Sequence, residues 1–244
     1  MFIRDHDLFP QNEKSDIIIL HYECIYYNHA SGRLMNSDFS TGFRLIGTTF
    51  KLWWSDWVNQ VIVCLVAVIV SLTIILLPPS LMGIYQQAQD LSRGNRTGII
   101  GWWNGFKKYL WISLLWGFAS TLILFILIFN VWFYYHLKTS WGPVLVVFFI
   151  IAIVIWIIFQ FYSLGYFFEQ KDKTIKLAWK NGLLTILAAP AYTLIIGFAT
   201  VIMVVVSLGT FIPLLIGSPS LLALLSVSAV RNRLIKYQKI PDDN

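Results

Sequence analysis

The sequence predicts an all-α membrane protein, a polytopic helix bundle of about six membrane segments arranged as three helical hairpins. Composition is the first observation behind this. Of 244 residues, 57% are hydrophobic and only 12% are charged, against roughly 25% charged in soluble domains. So few charges do not cover the surface of a water-soluble fold this size. The second observation is length: residues 58–77, 109–135, 141–168 and 183–207 are apolar runs matching the roughly 20 residues that cross a hydrocarbon core of about 30 Å. The third is placement. Basic residues flank these runs and most of the 11 Trp lie near their ends, where charges set orientation and indole rings anchor at the headgroups. The net charge of +6 therefore reads as topology signal, and nucleic acid is not an expected partner.

In chain order, residues 43–57 form an amphipathic entry segment, with Arg44 and Lys51 among Phe50, Trp53, Trp54 and Trp57, a mixture suited to the membrane interface. Residues 58–77 read as a span ended by Pro78 and Pro79. Residues 80–92 are shorter and more polar, closed by Arg93, Gly94 and Asn95, a stop-and-turn signal. A second entry segment, 99–108, leads to the span 109–135, a brief loop at 136–140 and the span 141–168. A third polar stretch, 169–180, precedes a span at 183–207, kinked at Pro190. The last apolar stretch, 210–230, is interrupted by Pro213, Gly217 and Pro219, with the outer turn at Gly209 or Gly217. A basic tail follows with Arg231, Arg233, Lys236 and Lys239.

The domain reading is a poorly ordered or mis-started tail at 1–40, one transmembrane helical domain at 41–235 and a cytoplasmic tail at 236–244. A plausible membrane-protein start lies at Met35, and residues 1–34 lack a signal-peptide core. The only cysteines, Cys24 and Cys64, are far apart, so neither a disulfide framework nor a metal pair is expected.

Orientation follows the basic loops, which are retained in the cytoplasm. They lie before the second long span, before the fourth and after the last, whereas the intervening turns carry little charge. Arg44 and Lys51 also belong inside. One crossing after them would strand Arg93, Arg96, Lys107 and Lys108 outside. Residues 80–92 therefore read as a sixth segment, returning through the membrane, with both termini cytoplasmic. Five crossings with an outside N-terminus is the alternative. The hairpins resemble one another faintly: each follows a Trp- and Lys-containing entry segment. Pro79-Ser80-Leu81 leading to Arg93 also matches Pro219-Ser220-Leu221 leading to Arg231. Internal repeats occur in transport folds, and interfacial anchoring alone also produces such likeness.

Polar groups at membrane depth are where chemistry is sought. No Lys, Arg, Asp, Glu or His falls well inside a strong span, which argues against a proton-coupled pump. Gln86, Gln89 and Asp90 share one helix face at i, i+3 and i+4 and are the candidates for a polar pathway or partner contact. The plainer reading pairs Asp90 with Arg93 and uses the glutamines to bridge helices. Gln160, Ser163, Tyr166, Tyr192 and Thr193 read as packing contacts. No nucleophile elbow, metal pair or phosphate loop occurs. No catalytic residue, metal ligand or cofactor is expected, and the protein is not expected to be an enzyme.

The run Pro78-Pro79, Gly83-Ile84-Tyr85 and Leu91-Ser92-Arg93-Gly94 resembles the YesL-like family of bacterial integral membrane proteins. So do the passage from Trp103 to Trp111 and the closing Ser220-Leu221-Leu222-Ala223-Leu224 to Val230-Arg231-Asn232-Arg233-Leu234. The resemblance covers residues 40–235. It implies a bacterial inner-membrane protein encoded beside carbohydrate-uptake systems, and hence an accessory role with a membrane transporter as partner. It supplies no catalytic residues. The other expectation, drawn from the polar return segment, is a small permease in its own right.

Overall fold

The computed structural model describes residues 40–137, 140–210 and 212–236, and among these there is no strand. The expectations for the N-terminal tail and for residues 237–244 fall outside the described residues. The first helix, α1, is Ser40–Trp54. It is followed by α2 (Trp57–Ser71), α3 (Leu77–Ser92), α4 (Gly98–Lys108), α5 (Leu110–His136), α6 (Gly142–Glu169), α7 (Ile175–Ala188), α8 (Pro190–Thr210), α9 (Ile212–Ile216) and α10 (Ser218–Lys236). The chain is thus a helical bundle. Three of its helices, α5, α6 and α8, are long and apolar enough to cross a membrane, or four if α1 and α2, bent 86° from each other, are one broken span.

The helices form three successive units, each with an entry helix (α1, α4, α7), an outgoing helix (α2, α5, α8) and a returning helix (α3, α6, α10). The returning helices pack on one another at the centre, and α3 and α6 each pack against the entry helix of the next unit. The cycle closes through α1, whose Trp53 Nε1 donates to Ser220 Oγ of α10 at 2.9 Å. In the equivalent place, Trp102 Nε1 of α4 donates to the Ser80 carbonyl of α3 at 3.1 Å. The Pro-Ser-Leu likeness of the two returning helices therefore has a spatial counterpart. Each serine follows a proline and meets the buried indole of an entry helix.

Proline placement changes several boundaries read from hydropathy. The expected span 58–77 breaks after Ser71, and Pro78 and Pro79 open α3 rather than end α2. Proline fits the first helical turn because the N–H it lacks has no partner there anyway. Pro190 likewise splits the expected span 183–207 into α7 and α8, with Ala189 out of helical geometry. Proline inside a helix removes one bond and clashes with the preceding turn. In the last hairpin, α8 runs through Gly209, and the turn comes at Gly217 with φ 138°. The basic tail also differs from expectation. Arg231 and Arg233 belong to α10, and Arg233 is 2% exposed because α10 is central and its end is covered by α8.

The α2–α3 turn holds Ile74 at φ 46°. A β-branched residue there is strained by roughly 1–2 kcal/mol. Ile74→Gly relieves this, while the freer unfolded chain offsets part of the gain. A net stabilisation of about 0.5–1 kcal/mol is expected, read as a raised thermal midpoint in detergent.

Candidate functional site

The candidates Gln86, Gln89 and Asp90 lie on α3, where Gln89 is buried and the other two are half-buried. α3 is enclosed by α2, α4, α5, α6 and α10, and small residues permit the close fit to α4. A Cβ on Gly83 would lie 2.7 Å from the Trp102 carbonyl oxygen, and one on Gly105 would collide with the Gln86 side chain. The shared face of the three polar residues therefore meets protein.

Two separate networks result. Gln86 Nε2 donates to Asp90 Oδ1 at 3.0 Å, and Thr97 Oγ1 at the start of α4 donates to Asp90 Oδ2 at 2.9 Å. The Asn95 N–H also donates to the Asp90 carbonyl at 2.9 Å. Asp90 thus shapes the α3–α4 turn. Gln89 points elsewhere: its Nε2 donates to the Phe168 carbonyl and, at 3.2 Å, to Glu169 Oε1. The expected Asp90–Arg93 pair is not the one formed. Arg93 Nη2 lies 3.4 Å from Glu169 Oε2, because α6 ends beside the α3 terminus while Asp90 is already held by Thr97. The third returning helix joins the same end, Arg231 Nη1 donating to the Ser92 carbonyl at 3.1 Å. The ends of α3, α6 and α10 are thereby tied level with one another.

The other polar residues of the spans also bridge helices. Gln160 of α6 accepts from Trp116 Nε1 at 2.9 Å and donates to Ser120 Oγ at 2.8 Å, both on α5. Tyr166 and Thr185 share a 2.6 Å hydroxyl bond across α6 and α7, and Tyr192 of α8 donates to the Ala229 carbonyl of α10 at 3.2 Å. Two polar residues were missed by the sequence reading. Gln60, 1% exposed, donates to Asp56 Oδ2 at 3.1 Å, and the Arg233 guanidinium sits 3.8 Å from the Tyr192 ring centroid, a cation–π contact. Arg233 continues the stripe of Ser226 and Val230 at helical spacing, a signal present in the sequence but outweighed by the tail-like run of cations.

Beside this polar end lies Lys173 in the α6–α7 loop. Its Nζ donates to the Phe168 carbonyl and sits 5.4 Å from the Phe168 ring centroid. Burial pulls its pKa down to about 8; Glu169 opposes that shift, and Arg93 and Lys108 add to it. A lysine depressed in the folded state binds its proton less readily there than in the unfolded chain. Stability therefore rises with pH from about 8 towards the ordinary lysine value near 10.4. Below that window the cost of the buried charge is fully present. Lys173→Met is expected to flatten this part of the stability profile, measured as the wild-type minus variant difference in thermal midpoint between pH 8 and pH 10.

Among the described residues, no group of three or more His, Cys, Asp or Glu is placed to hold a metal ion. No family model, curated protein or solved structure matches this chain.

Proposed function

We propose that this chain is an integral protein of a bacterial cytoplasmic membrane that acts as an accessory subunit of a carbohydrate-uptake transporter, without catalytic activity. In this reading it has six membrane segments in three hairpins, and both termini are cytoplasmic. The orientation rests on the basic residues, Arg93, Arg96, Lys107, Lys108, Lys171, Lys173, Lys176 and Lys180 lying in loops or entry helices on one side. Those cations also suit the anionic lipid of the inner leaflet. The carbohydrate connection rests on the YesL-like resemblance.

One observation carries the accessory role: the most apolar parts of α5 and α6, away from the end where α6 packs on α3, α7 and α10, are scarcely covered by the rest of the chain. Only 11% and 6% of their most apolar windows are buried, and α5 buries just Ser113 and Trp116, both near its inner end. Phe118, Phe125 and Phe129 stand 72%, 64% and 51% exposed along it. A hairpin whose outer part makes few contacts with the rest of the chain offers two long faces to another membrane protein. Meanwhile Gln89 ties α3 to α6 and Asp90 is held by Thr97 at the start of α4, with Gln86 bonded to Asp90. Mild detergent extraction of the tagged chain should recover the permease subunit of a sugar-uptake system. Phe118→Ala, Phe125→Ala and Phe129→Ala combined should lower that recovery without lowering the thermal midpoint. Extraction that yields the intact chain and no transporter subunit would sink the proposal.

A second reading, a small permease, draws on Gln87. It is 1% exposed with neither amide atom hydrogen-bonded, an arrangement that costs about 1–3 kcal/mol unless something polar visits it. Flux in proteoliposomes that disappears in Gln87→Leu would favour this reading. Flux that survives Gln86→Ala, Gln89→Ala and Asp90→Ala together would remove the originally expected pathway.

A further inference from the structure

We infer that the α2–α3 hairpin is re-entrant: it enters the bilayer from the basic side, turns within the hydrocarbon and leaves on the side it entered. The inference rests on the membrane reading above, and it is independent of the accessory role.

The depth of the turn can be read from its neighbours. Pro78, at the tip, packs against Gly117 of α5 so closely that a Cβ on Gly117 would overlap the proline ring. α5 starts at Leu110, one residue beyond Tyr109 and two beyond Lys108. Lys107 and Lys108 sit over the rings of Trp103 and Tyr109, each 5.2 Å from the centroid, a combination that marks the membrane interface. The tip is therefore level with the second turn of α5, about 10 Å beyond the interface at ~1.5 Å per residue. From Gly117, α5 continues to His136, about another 28 Å by the same rise. The other arm agrees. Gln89 and Arg93 of α3 are tied to the α6 terminus, so the two helices end together. α3 has 16 residues and α6 has 28. α3 therefore stops about 18 Å short of where α6 begins. A core of about 30 Å is crossed by α5 and α6 and only entered by α2 and α3.

The chemistry of the tip suits hydrocarbon. Leu72, Ile74 and Ile75 are 77%, 80% and 71% exposed, and residues 72–79 carry no charge. The α5–α6 turn, in contrast, contains His136, Lys138 and Ser140. A left-handed position in a watery turn usually takes Gly or Asn. Here it takes Ile74, whose side chain is favourable in lipid and unfavourable in water. Exposed backbone N–H groups are the main obstacle to a turn at membrane depth. The N–H groups of Leu72, Thr73, Ile74, Ile75, Leu77 and Ser80 are bonded within the turn, and Pro78 and Pro79 have none to satisfy. The doubled proline thus removes two of the orphan donors of a helix start, and between Leu72 and Ser80 Leu76 alone carries an N–H without a backbone partner.

Single cysteines test this in intact cells carrying a Cys24→Ser background, in which the fully buried Cys64 gives the unreactive baseline. Ile74→Cys and, as a second tip position, Leu72→Cys are compared with Ser140→Cys and Ser92→Cys. A membrane-impermeant maleimide should label Ser140→Cys from outside and Ser92→Cys only after permeabilisation. It should leave both tip variants unlabelled until detergent is added. A nitroxide attached at either tip position in liposomes should relax faster with oxygen than with a water-soluble nickel chelate, at a depth of about 10 Å beyond the interface. Labelling of the tip variants from outside would mean a full crossing, and labelling only after permeabilisation would mean a hairpin outside the bilayer. Either result overturns the inference. Failure of Ser140→Cys to label from outside would instead overturn the topology on which it rests.

Discussion

Trp102→Ala should destabilise the protein by about 3 kcal/mol and should release α4 from α3 before the rest of the bundle loosens. Trp102 is 2% exposed and stacks on Phe106 with ring centroids 5.4 Å apart. Its indole N–H is bonded to Ser80, and its backbone oxygen and ring edge lie where a Gly83 Cβ would be. Truncating a buried tryptophan in a water-soluble core costs about 3–5 kcal/mol. The lower end applies here, because lipid is itself apolar and part of the hydrophobic gain is absent. What remains is lost packing, a cavity and the loss of the indole's bond to the Ser80 carbonyl. The check is chemical unfolding in mixed micelles, combined with protease sensitivity at the α3–α4 turn. Gly83→Ala supplies the coupled measurement. It overpacks the same seam, and two of the three atoms it strikes belong to the indole. The cost of Gly83→Ala should therefore shrink in the Trp102→Ala background, a coupling a double-mutant cycle resolves. Full additivity would show that the two residues do not share one contact.

The contrast between α5–α6 and α2–α3 shows which physics a linear sequence exposes. The ends of α5 and α6 fall within a residue or two of the apolar runs read at 109–135 and 141–168. Each run is long, unbroken and bounded by charge, and the bilayer acts on each residue separately. The first hairpin is different. Pro78-Pro79 is equally legal as the stop of one helix and the start of another, since proline is excluded from a helix interior but welcome in its first turn. The turn at 72–76 and the packing of Pro78 on Gly117 of α5 go with the second role, and nothing near Pro78 in the sequence points to that contact. The polar end repeats the lesson. Asp90 and Arg93 are three residues apart and look like a pair, yet the partner of Arg93 is Glu169, 76 positions away. Hydropathy ranks residues by their distaste for water. It does not distinguish lipid from neighbouring helix as the place they go, so the wrapping of α3 by five helices was not legible. The likeness of Pro79-Ser80-Leu81 and Pro219-Ser220-Leu221 was legible, and its meaning came from Trp102 and Trp53 occupying equivalent places.

Gln89→Leu should cost about 2 kcal/mol, whereas Gln86→Leu should cost less than about 1 kcal/mol, although the two residues lie on one helix face. Hydrogen bonds to charged acceptors contribute about 1.5–3 kcal/mol and neutral ones about 0.5–1.5, and solvent screening draws a half-exposed bond to a carboxylate, such as that of Gln86, towards the lower figure. Gln89 is buried and reaches from α3 to a carboxylate and a carbonyl on α6. Without it, the Glu169 side chain, 3% exposed, keeps Arg93, whose own side chain is 47% exposed. A half-solvated arginine at 3.4 Å replaces little of what a buried amide provided. Gln86 is half-buried and bonds Asp90 within its own helix, and Asp90 retains Thr97 when Gln86 is lost. Unfolding midpoints of the two variants in the same detergent decide the matter. Equal, small losses would mean that the α3–α6 tie contributes little and that the three polar residues are again open to a pathway role. A large loss confined to Gln89→Leu would make the polar end of α3 a joint between returning helices, which is what a rigid platform for the protruding α5–α6 hairpin requires.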